Sequence, residues 1–332
     1  WHQWQGSRER AGAAEAALEA QRQALVHRVA EAYLGVLSAQ SELALSEREL
    51  DTLRAQSRQV EAQFEEGMVR LSEREEVRAR HARAEAGVRR AESELETARE
   101  ALAKIIGTYP PRLDPLRPEA ELPAPQPDAL DAWLERARNG NPELLAARAR
   151  LAAGRREVRA TRGERYPTVN LTAGYTRYDD FDGSPQGREL NDYAVGVQVN
   201  MPLYDGGGMS ARVRRAEYER SREGAEVERI RRSVRAQARS AYFAVSSLRS
   251  EVAAREQAVY AGERAVAAAE AEVEAQTRSV VELLDAQREL FAARRELAEA
   301  RHETLLRTLE LRRAAGRLGG DDVAALDALF GG

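Results

Sequence analysis

The sequence predicts a mostly α-helical protein with a small β part, in which two copies of a long helical hairpin accompany a pair of membrane-length strands. Three observations give this fold class. The 332 residues are 32% charged and only 5% aromatic, which is typical of long helices rather than of a thick globular core. Apolar residues recur in steps of three and four along much of the chain. The same pattern occurs twice at a constant offset.

The duplication sets each residue of the first copy 209 positions before its counterpart in the second. Tyr33, in "AEAYLGVLSAQSEL", matches Tyr242 in "ARSAYFAVSSLRSEV" (242 − 33 = 209). The same offset relates Gly107 to Gly316. Further matching pairs are Val36–Val245, Leu43–Val252, Leu50–Val259 and Phe64–Val273. An ungapped register over this span indicates an internal repeat.

Within each copy the apolar positions form a heptad seam, which requires a helical partner at coiled-coil spacing. In the first copy the positions are Leu25, Val29, Ala32, Val36, Ala39, Leu43, Ser46, Leu50, Leu53, Ser57, Val60 and Phe64. In the second they are Val234, Ala238, Ala241, Val245, Leu248, Val252, Val259, Val266 and Val273, with Arg255 and Gly262 as interruptions. Because many of these residues are small, the helices can approach closely.

Both seams break at the same place, in "FEEGMVRLSEREEV" and "VEAQTRSVVELLDA", and a second helix follows each break. Gly67 permits a turn directly. Ser279 and Glu282 fit the Ser-x-x-Glu capping box that starts a helix. Ser72 and Glu75 are expected to form the corresponding box in the first copy. Each copy is therefore predicted to be a helical hairpin.

A shorter helix and two strands come before the second hairpin. Asn141 is expected to cap that helix with Pro142 at its first position, and the helix should end near Tyr166, which precedes a proline. Two alternating runs follow, Thr168–Tyr178 and Asp192–Leu203. Their apolar face comprises Val169, Leu171, Ala173 and Tyr175 in the first run and Tyr193, Val195, Val197, Val199 and Met201 in the second.

Each run has the length of a tilted transmembrane strand, with one apolar face for lipid and one small or polar face for water. The polar loop "DDFDGSPQGRELN" between them would then lie outside the cell. Because a single hairpin leaves unpaired edges in a bilayer, several chains are expected to contribute to one barrel. The alternative is an ordinary soluble hairpin packed on a helix pair.

Composition and motifs argue against several other functions. The 51 basic and 55 acidic residues are interspersed, so no nucleic-acid footprint is visible and no nucleic-acid partner is expected. There is no cysteine, and the four histidines are scattered singly, so no metal site is predicted. No Ser/His/Asp set and no cofactor motif is present, so neither catalysis nor a cofactor is expected. The glycine-rich "DGGG" lacks the lysine and spacing of a P-loop. With Pro202 before it, this stretch (Asp205, Gly206, Gly207) is expected to turn the chain from strand to helix.

The stretches "RYPTVNLTAGY", "VNMPLYDGGGMSARVRRAEY", "SAYFAV" and "QTRSVVELLDAQRELFAARRELAEARHETL" resemble the TolC-like outer-membrane efflux proteins. The likeness extends along nearly the whole chain. It implies a homotrimeric, tapered tube in the outer membrane of a Gram-negative bacterium, in which each protomer gives four strands to a twelve-stranded barrel within outer-membrane lipid. The long helices of each protomer would form a periplasmic, antiparallel coiled-coil tunnel. Its tip would dock with a periplasmic adaptor protein and an inner-membrane transporter of the RND or ABC type, for drug efflux or type I secretion.

The resemblance also assigns a role to each part of the chain. Residues 1–107 would be the first tunnel hairpin, 108–140 a Pro-rich equatorial linker, 141–165 a short helix, 166–204 the transmembrane hairpin, 205–316 the second tunnel hairpin and gate, and 317–332 an equatorial segment. Trp1 aligns with Ser210 under the 209-residue offset, so the first copy has no counterpart of 69 positions, Asn141–Met209 (209 − 141 + 1). We therefore expect an N-terminally incomplete chain.

The expected gate lies at the helical break of the second copy. The resemblance places Arg278, Glu282 and Asp285 at the narrow periplasmic end of the tunnel. The two acids lie three residues apart on one helix face, so a three-fold axis would arrange them as two stacked rings that favour cations. The resemblance also sets Ser72 and Glu73 opposite Arg278, which predicts a Glu73–Arg278 pair that latches the closed tip. The simpler alternative is that Glu282 only completes its capping box and that Asp285 is a solvated carboxylate.

Two other protein classes use long helical hairpins. A periplasmic adaptor, or membrane fusion protein, carries one hairpin between halves of a β domain, whereas this sequence carries two hairpins and a "YP…PLYDGG" segment. A structural coiled-coil scaffold would not need the two amphipathic strands. The export duct therefore accounts for more of the sequence than either alternative.

Overall fold

The computed structural model describes residues 2–117, 119–178, 190–275 and 277–331. The described elements are α1 (His2–Glu65), α2 (Leu71–Ile106), α3 (Leu130–Gly140), α4 (Pro142–Gly163), β1 (Thr168–Tyr178), β2 (Leu190–Asn200), α5 (Gly208–Glu274), α6 (Val280–Ala314) and α7 (Gly320–Asp327). The prediction of a mostly helical protein with a small β part is thus confirmed. In these described ranges, no helix has both the length and the apolar character needed to cross a bilayer.

The chain divides into two compact units. The first comprises Trp1–Ala17 and Glu143–Arg231, and so holds α4, the β1–β2 hairpin and parts of α1 and α5. The second comprises Leu18–Pro142 and Arg232–Gly332, and so holds α2, α3, α6, α7 and the remaining parts of the two longest helices.

The helix boundaries repeat at the offset found in the sequence. Helix α1 ends at Glu65 and α5 at Glu274, 209 residues apart (274 − 65). Helix α2 begins at Leu71 and α6 at Val280, again 209 residues apart (280 − 71). The two hairpins therefore have their turns at equivalent positions, as the internal repeat predicted.

Burial follows the predicted seams along most of their length. In the second copy the six positions from Val234 to Val252 are all buried. In the first copy Val36, Ser46, Leu53 and Val60 are buried. The first predicted position, Leu25, is instead 46% exposed, so the seam of the first copy does not begin there.

The two interruptions of the second seam have structural roles. A Cβ at Gly262 would lie 3.2 Å from Leu290 Cδ1, so the glycine lets α6 pack closely against α5. The Arg255 guanidinium pairs with Glu251 on its own helix at 2.6 Å and with Glu296 on α6 at 2.6 Å. Gly262 thus permits a close approach of the two helices, and Arg255 forms an ion pair between them.

The start of α2 corrects one prediction. Arg70 is the N-cap and makes no side-chain capping bond, so Ser72 lies inside the first turn and the expected Ser72–Glu75 box is wrong. Glu75 pairs with the neighbouring Arg74 at 2.7 Å instead. Helix α2 begins where the duplication predicts, because its N-cap Arg70 is the counterpart of Ser279, the N-cap of α6 (279 − 70 = 209).

The predicted linker 108–140 contains a helix that the sequence reading missed. Helix α3 buries Trp133 and Ala137, four residues apart on one face. Trp133 packs in a cluster with Ala241 of α5 and Leu311 of α6, and its indole N–H donates to the Pro127 carbonyl at 2.8 Å. The prolines end before Leu130, so nothing prevents a helix from forming there.

Helix α4 begins at Pro142, as predicted, and ends at Gly163, three residues before Tyr166. The preceding Asn141 is buried, and its side-chain amide donates to the Ala314 carbonyl at the end of α6, at 3.1 Å. The α3–α4 junction is thus held against the C-terminus of α6.

Strands β1 and β2 form an antiparallel hairpin. Strand β1 has the predicted bounds, whereas β2 runs from Leu190 to Asn200 rather than from Asp192 to Leu203. The ladder ends where Asn200 pairs with Thr168, next to Pro167 on one strand and shortly before Pro202 on the other, because proline has no N–H to donate. Residues 179–189, most of the predicted outer loop, lie outside the described residues.

Candidate functional site

The predicted gate residues lie at the two hairpin turns of the second unit, between α1 and α2 and between α5 and α6. A buried cluster of Leu53, Val60, Val77 and Leu284 joins α1, α2 and α6 just behind these turns. Val69 of the first turn and Val280 at the start of α6 pack against this cluster. The apolar residues that flank the two turns therefore place both in one neighbourhood.

At the second turn the predicted capping box is confirmed. Ser279 Oγ accepts a hydrogen bond from the Glu282 N–H at 3.3 Å, and the Glu282 carboxylate accepts one from the Ser279 N–H at 3.3 Å. Arg278 pairs with Glu272 at 3.0 Å and with Glu282 at 3.4 Å. The arginine thereby ties the end of α5 to the start of α6.

The expected Glu73–Arg278 pair is not formed within the described part of a single chain. The Arg278 guanidinium lies instead between two carboxylates that flank it in its own turn, Glu272 and Glu282. Ser72 is exposed and Glu73 half-buried in the first turn of α2. The Glu73–Arg278 latch therefore stays a prediction.

Asp285 is held by a residue that the sequence reading did not select. Arg80 of α2 donates from Nη1 to Asp285 Oδ1 at 2.9 Å and from Nε to Glu76 Oε1 at 2.8 Å. Burial would lower the pKa of Arg80, but its hydrogen bonds to Glu76 and Asp285 hold that pKa above the ordinary arginine value. Asp285 is therefore paired within the chain while its side chain remains 47% exposed.

A charged cavity of about 200 Å³ lies behind this ion pair, between α1, α2 and α6. Its lining includes the four arginines Arg80, Arg83, Arg288 and Arg295, together with Glu49 and Glu76. Arg295 on α6 pairs with Glu42 at 2.9 Å and also with Glu49, both on α1. Burial lowers the pKa of Arg295, but the two glutamates hold it above its ordinary value. Ion pairs thus connect α6 to both helices of the first hairpin.

The second candidate site is the β1–β2 hairpin, whose register separates two faces. Pairs such as Leu171–Val197 and Tyr175–Tyr193 stack apolar residues on one face. Pairs such as Asn170–Gln198 place polar residues on the other. The predicted strand residues are all exposed, namely Val169, Leu171, Tyr175, Tyr193, Val195, Val197 and Val199. An exposed apolar face of this kind marks a surface for lipid or for a partner protein.

The turn after the hairpin is closed by the side chain of Asp205. Gly206 and Gly207 have φ of 63° and 91°, which explains the need for glycine. The Asp205 carboxylate accepts hydrogen bonds from the Gly207 N–H at 3.2 Å and from the Met209 N–H. It thus occupies backbone donors at the N-terminus of α5, which supports the predicted turn from strand to helix that follows Pro202. The capping role of Asp205 could have been read from its position just before a helix.

Two histidines are buried in the second unit without forming a metal site. Burial, with a smaller contribution from the charge of Arg301, lowers the pKa of His302 to about 4. Burial and Arg313 also lower the pKa of His27. Within the described ranges, no three His, Asp or Glu side chains are grouped as a metal would need.

Comparison with known proteins gives a consistent picture. The family model described as "Outer membrane efflux protein" matches residues 2–108 and 133–317, which are the two hairpins with α4 and the strands. The outer membrane efflux protein BepC of Brucella suis is 28% identical over 255 residues, which cover 75% of this chain and 55% of BepC. The outer membrane protein TolC of Escherichia coli is 29% identical over 265 residues, which cover 75% of this chain and 52% of TolC.

The crystal structure of the Neisseria gonorrhoeae MtrE outer membrane channel in its open state has a similar fold. It superposes with a TM-score of 0.79 at 21% identity, over 94% of this chain and 70% of that one. The likeness extends to the mostly helical architecture. The chain spans about half the length of the curated relatives it matches.

Proposed function

Because the chain belongs to the outer membrane efflux protein family, we propose that it is a subunit of a passive export duct that crosses the outer membrane and is gated at its periplasmic end. The family is one of transport ducts rather than of enzymes. Membership places the protein in the outer membrane of a Gram-negative bacterium, with its helical part in the periplasm.

The register of the β1–β2 hairpin is the observation that carries this proposal. Of the eleven residue pairs, the nine from Thr168–Asn200 to Thr176–Asp192 alternate strictly between an apolar and a polar or small face, and the large apolar side chains among them are exposed. The two pairs nearest the loop, Arg177–Asn191 and Tyr178–Leu190, do not follow the alternation. This alternation is what a barrel needs when it has lipid outside and water inside. Since an open strand edge is not tolerated in a bilayer, the hairpin needs strands from other chains. A homotrimeric barrel satisfies that requirement.

The helical part supports a tunnel whose end can open. The two hairpin turns lie in one neighbourhood, and ion pairs within the chain join Arg278 to Glu272 and Glu282 and Arg80 to Asp285. In the trimer, Glu73 of one protomer and Arg278 of the next would latch the closed end. Contact with a periplasmic adaptor, driven by an RND or ABC transporter in the inner membrane, would bias the turns towards an open arrangement.

Ion conductance through planar bilayers tests the duct and its latch together. Protein purified from the outer membrane should conduct, and Glu73→Ala or Arg278→Ser should each raise the single-channel conductance. Arg89→Ser is a matched control, because this arginine is 81% exposed on α2 and its partner among the described residues is Glu92 of the same helix. An unchanged conductance in both latch variants would remove the latch, and a wild-type protein that does not conduct would remove the duct.

A further inference from the structure

Arg80 connects two helices of the gate region through a single guanidinium. It bonds Glu76 on its own helix, α2, and Asp285 on α6, at 2.8 and 2.9 Å. Its side chain is 14% exposed, whereas the two carboxylates are 39% and 47% exposed. The arginine is thus enclosed between the helices while both of its partners reach solvent.

The duplication explains why these three residues belong together. Glu76 and Asp285 occupy equivalent positions in the two copies (285 − 76 = 209). Arg80 has no equivalent, because its counterpart is Glu289 (289 − 80 = 209). One cation therefore serves two equivalent acids, and without it the two carboxylates would repel each other across the α2–α6 contact.

The two bonds of Arg80 are not equally durable when the helices separate. The bond to Glu76 joins residues four apart on one helix, so it persists as α2 moves. The bond to Asp285 crosses between helices, so it breaks when α2 and α6 part. Separation thus leaves Asp285 without its cation and keeps Arg80 neutralised by Glu76.

We propose that the arrangement described here is that of the closed gate, in which Arg80 holds α2 against α6 and masks the charge of Asp285 until the gate opens. This inference rests on the proposed function and adds Arg80 to the residues of its gate. Opening and cation selectivity are then coupled through one side chain. Asp285 attracts cations only in the open duct, where its charge is no longer compensated.

Conductance and reversal potential of the purified protein in a salt gradient test this coupling. Arg80→Met keeps the apolar stem and removes the charge, so it should shift the ratio of open to closed gates roughly fivefold towards open and increase cation selectivity. Asp285→Asn breaks the same bond and should also favour opening, but it should decrease cation selectivity. Arg80→Lys keeps the charge without the forked geometry and should fall between Arg80→Met and wild type.

The opposite shifts in reversal potential distinguish a masking role from a merely structural one. Arg89→Met, which removes an exposed arginine on the same helix, should match wild type. If Arg80→Met cannot be purified as an assembled protein, Asp285→Asn and Arg80→Lys still carry the test. Unchanged conductance and selectivity in these variants of a conducting protein would overturn the Arg80 inference alone. So would reversal potentials that shift in the same direction in Arg80→Met and Asp285→Asn. A wild-type protein that does not conduct would overturn the proposed function as well.

Discussion

Replacing Gly316 by alanine tests how the C-terminus of α6 is held against the α3–α4 junction. Gly316 has φ of 69°, a left-handed conformation that costs a residue with a Cβ roughly 1–2 kcal/mol. A Cβ there would also overlap the carbonyl oxygen of Gly140 and lie 2.5 Å from its carbonyl carbon, whereas real Cβ atoms essentially never approach closer than 3.0 Å. The backbone must therefore shift by at least half an ångström (3.0 − 2.5).

The same shift would break a hydrogen bond made by the residue next to Gly140. The Asn141 amide, next to Gly140, donates to the Ala314 carbonyl at 3.1 Å. Loss of such a buried bond costs about 1 kcal/mol, and more when the donor is left without a partner. Conformational strain and the lost bond together predict that Gly316→Ala lowers the free energy of unfolding by roughly 3 kcal/mol.

The duplication supplies a matched control. Gly107 is the counterpart of Gly316 and has φ of 79°. A Cβ added at Gly107 would have no atom within 4 Å of it. Gly107→Ala should therefore lower the free energy of unfolding only through the strain of the left-handed conformation, by roughly 1–2 kcal/mol. Guanidinium unfolding followed by far-ultraviolet circular dichroism measures both variants. Equal losses in the two variants would refute the packing argument.

Three further predictions concern the caps, a buried histidine and the strand faces. Ser279→Ala should lower helix stability by about 1 kcal/mol, whereas Ser72→Ala, inside the first turn of α2, should change it by much less in the same unfolding assay. Because burial lowers the pKa of His302 from 6.5 to about 4, the unfolded chain binds more protons between these values, and stability falls as the pH drops through this window. The loss is up to about 3 kcal/mol per chain, and His302→Leu should flatten this part of a stability–pH profile. Val197→Arg should reduce assembly into the outer membrane, at a cost of roughly 2–4 kcal/mol, whereas Gln198→Arg on the opposite face should be tolerated; fractionation of membranes measures both.

Repetition made the long elements predictable from the sequence. A fixed offset with a heptad seam determines where helices begin and end, so the boundaries at Leu71 and Val280 follow from each other. The period of two along β1 and β2 likewise determined which residues share a face. The Ser72 prediction failed because a local capping motif was preferred to the offset, which assigns the cap to Arg70.

Features that depend on contacts between distant residues could not be predicted in this way. Helix α3 is short and lies in a Pro-rich segment, and its burial depends on Trp133 reaching α5 and α6. The Arg80–Asp285 bond joins residues 205 positions apart, and no periodic pattern selects one arginine among many. The feature of the sequence that relates to this bond is that Glu76 and Asp285 occupy equivalent positions of the two copies.

The number of chains in the particle extracted from the outer membrane in mild detergent tests the central claim most directly. Native mass spectrometry, with the subunit mass measured alongside, gives that number. A particle of three identical subunits in the outer-membrane fraction is the result we expect, because each protomer's strand edges need partners from other chains. A monomer, or recovery of the protein in the soluble fraction, would contradict the duct.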